Sequence, residues 1–221
     1  MNKFIFFVVF LIVGISVTYY LLLPEEELLP VINPIDLEEE MVDPDVLMNR
    51  TGYGHTIGDF SFQNQDGKTI TQKDVEGKVY VAEYFFTTCG SICPIMNKEM
   101  QRVHKVYQAE EDFKILSFTV HPEVDTIEQM KRYADEHGAR SDQWHFLTGD
   151  KEELYRLARK SFFVLKPAEA ENLGDAGSDF IHTNNFVLVD RESRIRGYYD
   201  GTSRTGVDSL IYDISRLLKE E

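Results

Sequence analysis

The sequence predicts an α/β domain, a mixed central sheet flanked by helices, placed behind an N-terminal transmembrane helix. Three observations predict it. Residues Phe4 to Leu23 are twenty consecutive positions without a charge. From about Gly52 onward, strand-like apolar runs alternate with segments whose apolar residues recur at helical spacing, which implies parallel strands joined by helices. The last two strand-like runs are separated only by a short turn, so antiparallel strands complete the sheet.

The apolar run FIFFVVFLIVGISVTYYLLL would form about 30 Å of helix at 1.5 Å per residue, the thickness of a bilayer hydrocarbon core. Lys3 precedes it and a purely acidic stretch follows, so the rest of the chain is expected outside the cytoplasm. Tyr19 and Tyr20 suit the interfacial belt at its outer end. A cleaved signal peptide is the competing reading. Its apolar core would be shorter, and an A-x-A cleavage site is unavailable because the first alanine is Ala82. Residues 1–23 are therefore read as the anchor, 24–50 as an acidic tether and 51–221 as the folded domain.

Charge follows that division. The whole chain carries 38 acidic and 23 basic residues, a net charge of −15. Between Pro24 and Asn49 there are nine acids and no base, and such a segment extends by self-repulsion rather than folding alone. Leu28, Leu29, Val31 and Ile32 are the residues through which part of it would pack on the domain as an arm. The acidic balance excludes nucleic acid as a partner, because phosphate binding needs a basic footprint.

Within the domain, Ser61 to Thr71 reads as a small hairpin about the Asp-Gly of QDGK. Lys78 to Phe86 (KVYVAEYFF) suits a central strand covered on both faces. Pro94 to Gln108 is a helix with Met96, Met100, Val103 and Tyr107 on one side. Phe113 to Val120 is a second strand. Asp125 with Glu128 reads as a helix start, Ile127, Met130 and Ala134 as its apolar stripe, and Gly138 as its stop. A short strand-like stretch holds Trp144 and His145. Asp150 with Glu153 caps a further helix bearing Leu154, Leu157 and Ala158. Asn184 to Val189 and Arg194 to Tyr199 form the terminal hairpin, and Val207 to Leu218 the last helix. This order is the thioredoxin-like one.

Both cysteines of the chain stand in TTCGSICPIM, where the first long strand gives way to a helix. A helix start presents unpaired N–H groups and partial positive charge, which favours thiolate over thiol. Thiolates serve redox chemistry and soft-metal binding alike. The C-x-x-x-C spacing of Cys89 and Cys93 is one residue longer than a dithiol oxidoreductase of thioredoxin type uses. It lets both sulfurs converge on one ion without excluding a disulfide. Two thiolates do not fill a zinc site, whereas sulfur with one imidazole suits copper, particularly Cu(I). Of the six histidines, His104 and His137 read as surface and His145 as structural. His182 lies just before the first hairpin strand, in a loop that faces the cysteine turn in a thioredoxin-like fold. That loop normally carries a cis-proline, and here it reads Ile181-His182-Thr183.

With IGDFSFQNQDGK, the CGSICP turn, FTVHPEVDT, LTGDKEELYRLA and IHTNNFVLVD, the chain from about Ile57 to Leu218 resembles the SCO1/SenC family of membrane-tethered copper proteins. The resemblance implies copper, as Cu(I), Cu(II) or both, held by Cys89, Cys93 and His182. It implies a metallochaperone assisting assembly of the copper centre of cytochrome c oxidase. The expected partners are a copper-receiving subunit of that oxidase and a copper donor or thiol reductant. The expected location is the bacterial inner membrane, single-pass, with the domain on the periplasmic side. The chain departs from the family's pattern at Gly90, where proline often follows the first cysteine. It departs again at Ile181, where aspartate often precedes the histidine; Asp179 is the nearest substitute. At Thr119-Val120-His121-Pro122 the family usually has Ser-Val-Asp-Pro. His121 is read as a surface residue rather than an auxiliary ligand, and Met96 and Met100 as core rather than thioether ligands.

Three other readings compete. A membrane-anchored thiol–disulfide oxidoreductase would use Cys89 and Cys93 as its redox pair with no metal. A peroxiredoxin-like enzyme would need an activating arginine beside Thr88 and one cysteine. A copper sensor would bind the same ion and signal to a partner.

Overall fold

The computed structural model describes residues 2–22, 28–38, 53–164 and 183–220, with Val42 and Val46 besides. Helix α1 (Asn2–Leu22) carries the apolar N-terminal run, and its described side chains, Lys3 to Thr18, are all exposed. Among the described residues no helix is long and apolar enough to cross a membrane. The apolar run continues past Thr18 through Leu23, beyond the described side chains.

The domain is built on strands β1 (Ser61–Asn64), β2 (Thr69–Thr71), β3 (Val79–Phe85), β4 (Phe113–Thr119), β5 (Trp144–Thr148), β6 (Asn185–Val189) and β7 (Ile195–Asp200). They form one sheet in the order β2-β1-β5-β4-β3-β6-β7. β3, β4 and β5 run parallel, as the strand–helix alternation predicts, while β6 is antiparallel to β3 and β7 to β6. The β1–β2 hairpin turns at Asp66-Gly67, with Gly67 at φ +72°, and adds to the other edge by pairing with β5. That positive φ is why glycine follows the aspartate.

The helices are α2 (Gln72–Val75), α3 (Cys93–Tyr107), α4 (Ile127–Glu136), α5 (Lys151–Lys160) and α6 (Arg204–Leu217). Asp150 caps α5, its side chain accepting the Glu153 N–H at 3.0 Å, as its sequence signal predicts. The start of α4 is shifted by one residue. Thr126, not Asp125, is the cap, accepting the Gln129 N–H at 3.3 Å, and Asp125 is wholly buried with other partners.

Strand periodicity divides the core into two layers. Val79, Val81 and Phe85 of β3 face Met96, Met100 and Val103 of α3 and the buried side chains of α4 and α6. Tyr80, Ala82 and Tyr84 face the opposite layer, with Leu154, Leu157 and Ala158 of α5 and the aromatic group Phe60, Phe62, Phe118 and Phe162. Met96 and Met100 are core residues, as their helical spacing predicts. His104 is a correction to the surface reading. It is buried, with its ring centroid 5.4 Å from that of Trp144, because the covered face of α3 is broad enough to include it.

Residues 28–38 lie against this domain. Ile32 donates its N–H to the Ile195 carbonyl at 2.8 Å as an antiparallel bridge on the edge of β7, and Leu29 is buried. The Arg196 guanidinium, itself buried, donates to the Leu29 and Pro30 carbonyls and pairs with Asp190 and Glu220. Leu28 is exposed, so of the four apolar arm residues Leu29 and Ile32 carry most of the docking.

Candidate metal centre

β3 ends at Phe85 and α3 begins at Cys93, so the cysteine turn leaves the carboxyl-terminal edge of the parallel strands. Cys93 is the first residue of α3, with Pro94 beside it in the first turn and no acidic residue there to oppose an anion. Proline costs little at that point, since its missing N–H would be unpaired in any case. Cys89 donates its N–H to the Phe86 carbonyl at 3.2 Å, which folds the chain back, and its Sγ lies 3.6 Å from Ser91 Oγ. Both cysteines are free thiols and both are buried, while Gly90, Ser91 and Pro94 around them are exposed. The pair thus lies just beneath an exposed turn.

The two thiols differ in acidity. Burial opposes ionisation of Cys89, but the Cys93 thiol and N–H, with the hydroxyl and N–H of Ser91, outweigh it and bring the group down to about 7. Burial, then the neighbouring Cys89 and the charge of Glu83, pushes Cys93 up to about 12. Cys89 is therefore the more readily ionised of the two, with the Ser91 and Cys93 N–H groups beside its sulfur favouring the first negative charge.

Beneath the turn lies a polar layer that the sequence did not disclose. Glu83, the lone acid in the apolar run of β3, shares the side of the strand that faces α3 and is completely buried. Burial raises its carboxyl to about 7, against the partial relief of the Ser117 hydroxyl, which donates to Oε1 at 2.5 Å. Trp144 Nε1–H donates in turn to Ser117 Oγ at 2.8 Å. Asn97, one turn into α3, donates to the Tyr133 hydroxyl of α4, and burial with the nearby Glu83, Cys93 and Cys89 holds that phenol well above its usual range. A single acid inside a strand otherwise buried on both faces was the available signal for this layer.

His182, Ile181 and Asp179 lie outside the described residues. Thr183, the next residue, is buried where the chain approaches β6. His121 is half-buried at the end of β4, its N–H donating to Thr119 Oγ1 at 2.9 Å. Among the described residues no group of three or more His, Cys, Asp or Glu side chains converges as a metal site. The described part of the centre is the two sulfurs. Soft, partly shielded thiols at a helix start accept either a d¹⁰ metal ion or one another.

Fold and site together define a thioredoxin-like domain with a C-x-x-x-C dithiol at the start of its first core helix. The chain belongs to the SCO1/SenC family, whose sequence model matches residues 49–219. It is 36% identical to the SCO1 protein homolog of Bacillus subtilis (strain 168) over 163 residues, which is 72% of this chain and 81% of that protein. Among solved structures it is similar to BsSco, a member of the Sco family of cytochrome c oxidase assembly proteins in which a disulfide switch was identified. That match has 33% identity and a TM-score of 0.64 over 76% of this chain and 96% of the other. It is also similar to Arabidopsis thaliana ScoI with copper bound, at 26% identity and a TM-score of 0.56, covering 72% of this chain and 98% of that one.

Proposed function

We propose that this chain is a membrane-tethered copper metallochaperone that binds copper through Cys89, Cys93 and His182 and assists assembly of the copper centre of cytochrome c oxidase. The observation that carries the reading is the dithiol itself. It has two soft donors at one helix start, one of them ionising near neutrality, in a family whose Arabidopsis member is solved with copper bound. For His182 the support is strand register. β6 runs antiparallel to β3 with Ala82 opposite Val187, so the chain entering β6 comes in beside the end of β3, from which the cysteine turn departs.

Copper is the cargo here rather than a resident cofactor. Cys89 loses its proton and supplies the first thiolate; Cys93 gives up its proton when the ion replaces it; neutral imidazole closes the set. Exchange with a partner disulfide joins Cys89 to Cys93, passes two electrons to the partner's sulfurs, which leave as thiolates and take protons from solvent, and withdraws both ligands together so that the ion is released. The whole uncharged run Phe4–Leu23, which extends past the described side chains, would serve as the anchor in the bacterial inner membrane, holding the domain on the periplasmic side beside a copper-receiving oxidase subunit.

The split acidity of the pair also favours a second reading, a thiol–disulfide oxidoreductase acting on extracytoplasmic thiols. One experiment separates them. Cells lacking the chain are complemented with wild type, Cys89→Ser and Cys93→Ser, and oxidase activity and oxidase copper are measured with and without added copper. The chaperone reading expects activity from wild type alone, with copper partly rescuing the serine variants. Full oxidase copper in cells lacking the chain would overturn it.

A further inference from the structure

We propose that Asp125 is a positioning residue for the dithiol turn, tying the end of β3 to the end of β4 and so setting the path on which Cys89 leaves the sheet. The inference rests on the reading that Cys89 and Cys93 are the working pair.

The main-chain ladder between the two parallel strands ends where Val120 donates its N–H to the Phe85 carbonyl at 2.9 Å. The next donor on the β3 side, the N–H of half-buried Thr87, has no strand left to pair with, and an N–H shielded from water without a partner is costly. Asp125 supplies that partner. Its Oδ1 accepts the Thr87 N–H at 3.2 Å and the Thr87 hydroxyl at 2.5 Å. Its Oδ2 accepts the same N–H at 3.3 Å and the hydroxyl of Thr119, the last residue of β4. The carboxylate is wholly buried. It therefore replaces a rung of the sheet with a charge-assisted cross-brace.

The brace is itself held. Asp125 donates its N–H to the His121 carbonyl at 2.9 Å, the His121 N–H reaches Thr119 Oγ1, and Gln129 Nε2 of α4 donates to Thr87 Oγ1 at 3.3 Å. Thr87 stands two residues before Cys89, and α3 fixes the far end of the turn at Cys93. Between those points the Cys89 N–H bonds the Phe86 carbonyl, and the Ile92 carbonyl accepts from Ile95 and Met96 as part of α3. The separation of the two sulfurs is thus set from one side by α3 and from the other by Asp125. Copper chelation and disulfide closure both need the sulfurs together, so both should weaken when the brace is cut.

The test uses the reduced protein with Asp125→Asn, Thr87→Val and Thr119→Val. The thiol–disulfide equilibrium of Cys89 and Cys93 is measured in glutathione buffers, Cu(I) affinity by competition with a chelator, and thermal unfolding of the oxidised and reduced forms. Asp125→Asn is expected to move the equilibrium toward the dithiol and to lower Cu(I) affinity, each by about tenfold, the size expected for a lost hydrogen bond to a charged group. Should Asp125→Asn fail to fold, Thr87→Val carries the test. It should shift the equilibrium in the same direction, and Thr119→Val, which cuts the β4 end of the brace but leaves both Thr87 bonds in place, should shift it the same way by less. An unchanged equilibrium in Asp125→Asn or Thr87→Val, with only the unfolding temperature lowered, would overturn the inference. Copper binding fails separately: wild type that retains no Cu(I) counts against the chaperone reading, and the glutathione equilibrium still tests Asp125.

Discussion

Glu83 and Ser117 are direct register partners in β3 and β4, and the serine hydroxyl donates to the buried carboxyl at 2.5 Å while accepting the Trp144 N–H. This one polar contact across the central strands lies in the layer that supports the cysteine turn. The carboxyl's raised value of about 7 against an ordinary 4.5 fixes the sign of its effect. The folded state holds the proton where the unfolded chain releases it. The neutral Glu83 therefore contributes fully below about 4.5 and is lost as pH rises toward 7. In the metal-free reduced protein, urea unfolding should show wild type losing about 3 kcal/mol relative to Glu83→Gln across that window. A difference that stays flat from pH 4 to pH 8 would contradict the buried-carboxyl account.

The two thiols should react at different pH. Cys89 is brought down to about 7 and Cys93 pushed up to about 12. Only thiolate alkylates, so iodoacetamide followed by peptide mass spectrometry should find Cys89 modified first, its rate rising through a midpoint near neutrality. Modification of Cys93 first, or of both at one rate, would reverse the assigned roles.

Met100 is completely buried in the layer beneath α3. Met100→Ala should cost about 2–4 kcal/mol in denaturant unfolding, by lost transfer energy and a residual cavity. Copper retained per folded chain should not change. A fall in copper stoichiometry without a fall in stability would instead make the sulfur a ligand.

The arm that precedes the domain has its own test. Arg196 is nearly enclosed, and its guanidinium serves Leu29, Pro30, Asp190 and Glu220 at once. Arg196→Ala should destabilise the fold by about 2–4 kcal/mol, since partners are left buried without their donor, although Arg194 still reaches Asp190. Limited proteolysis should cut within residues 28–38 sooner than in wild type. Equal cutting rates would mean that the Ile32 bridge and Leu29 hold the arm unaided.

Much of this fold was legible because its signals are local. The apolar β3 run, the Asp-Gly hairpin, the Asp150 cap and the Met96–Met100 stripe each follow from spacing within a few residues, and each stands where that spacing puts it. The cysteine pair was legible for the same reason. Asp125 was not: as Asp-Thr-x-Glu it imitates a cap, and only the juxtaposition of two parallel strand ends reveals Thr87 and Thr119 as its partners. His104 was misread because helical polarity around it says nothing of Trp144, forty residues away in β5. Glu83 was hidden in a run whose apolar average concealed one acid. Long-range placement decided all three.

The central claim is that Cys89, Cys93 and His182 hold one copper ion. The most direct measurement loads the reduced protein with Cu(I), removes the excess, and records copper per chain with the X-ray absorption spectrum of the bound metal, for wild type, Cys89→Ser and His182→Ala. The account predicts about one copper per chain in wild type, with two sulfur ligands and one nitrogen ligand. It predicts loss of the ion in Cys89→Ser, and weaker binding without the nitrogen ligand in His182→Ala. Wild type that retains no copper, or a His182→Ala spectrum and affinity identical to wild type, would contradict it.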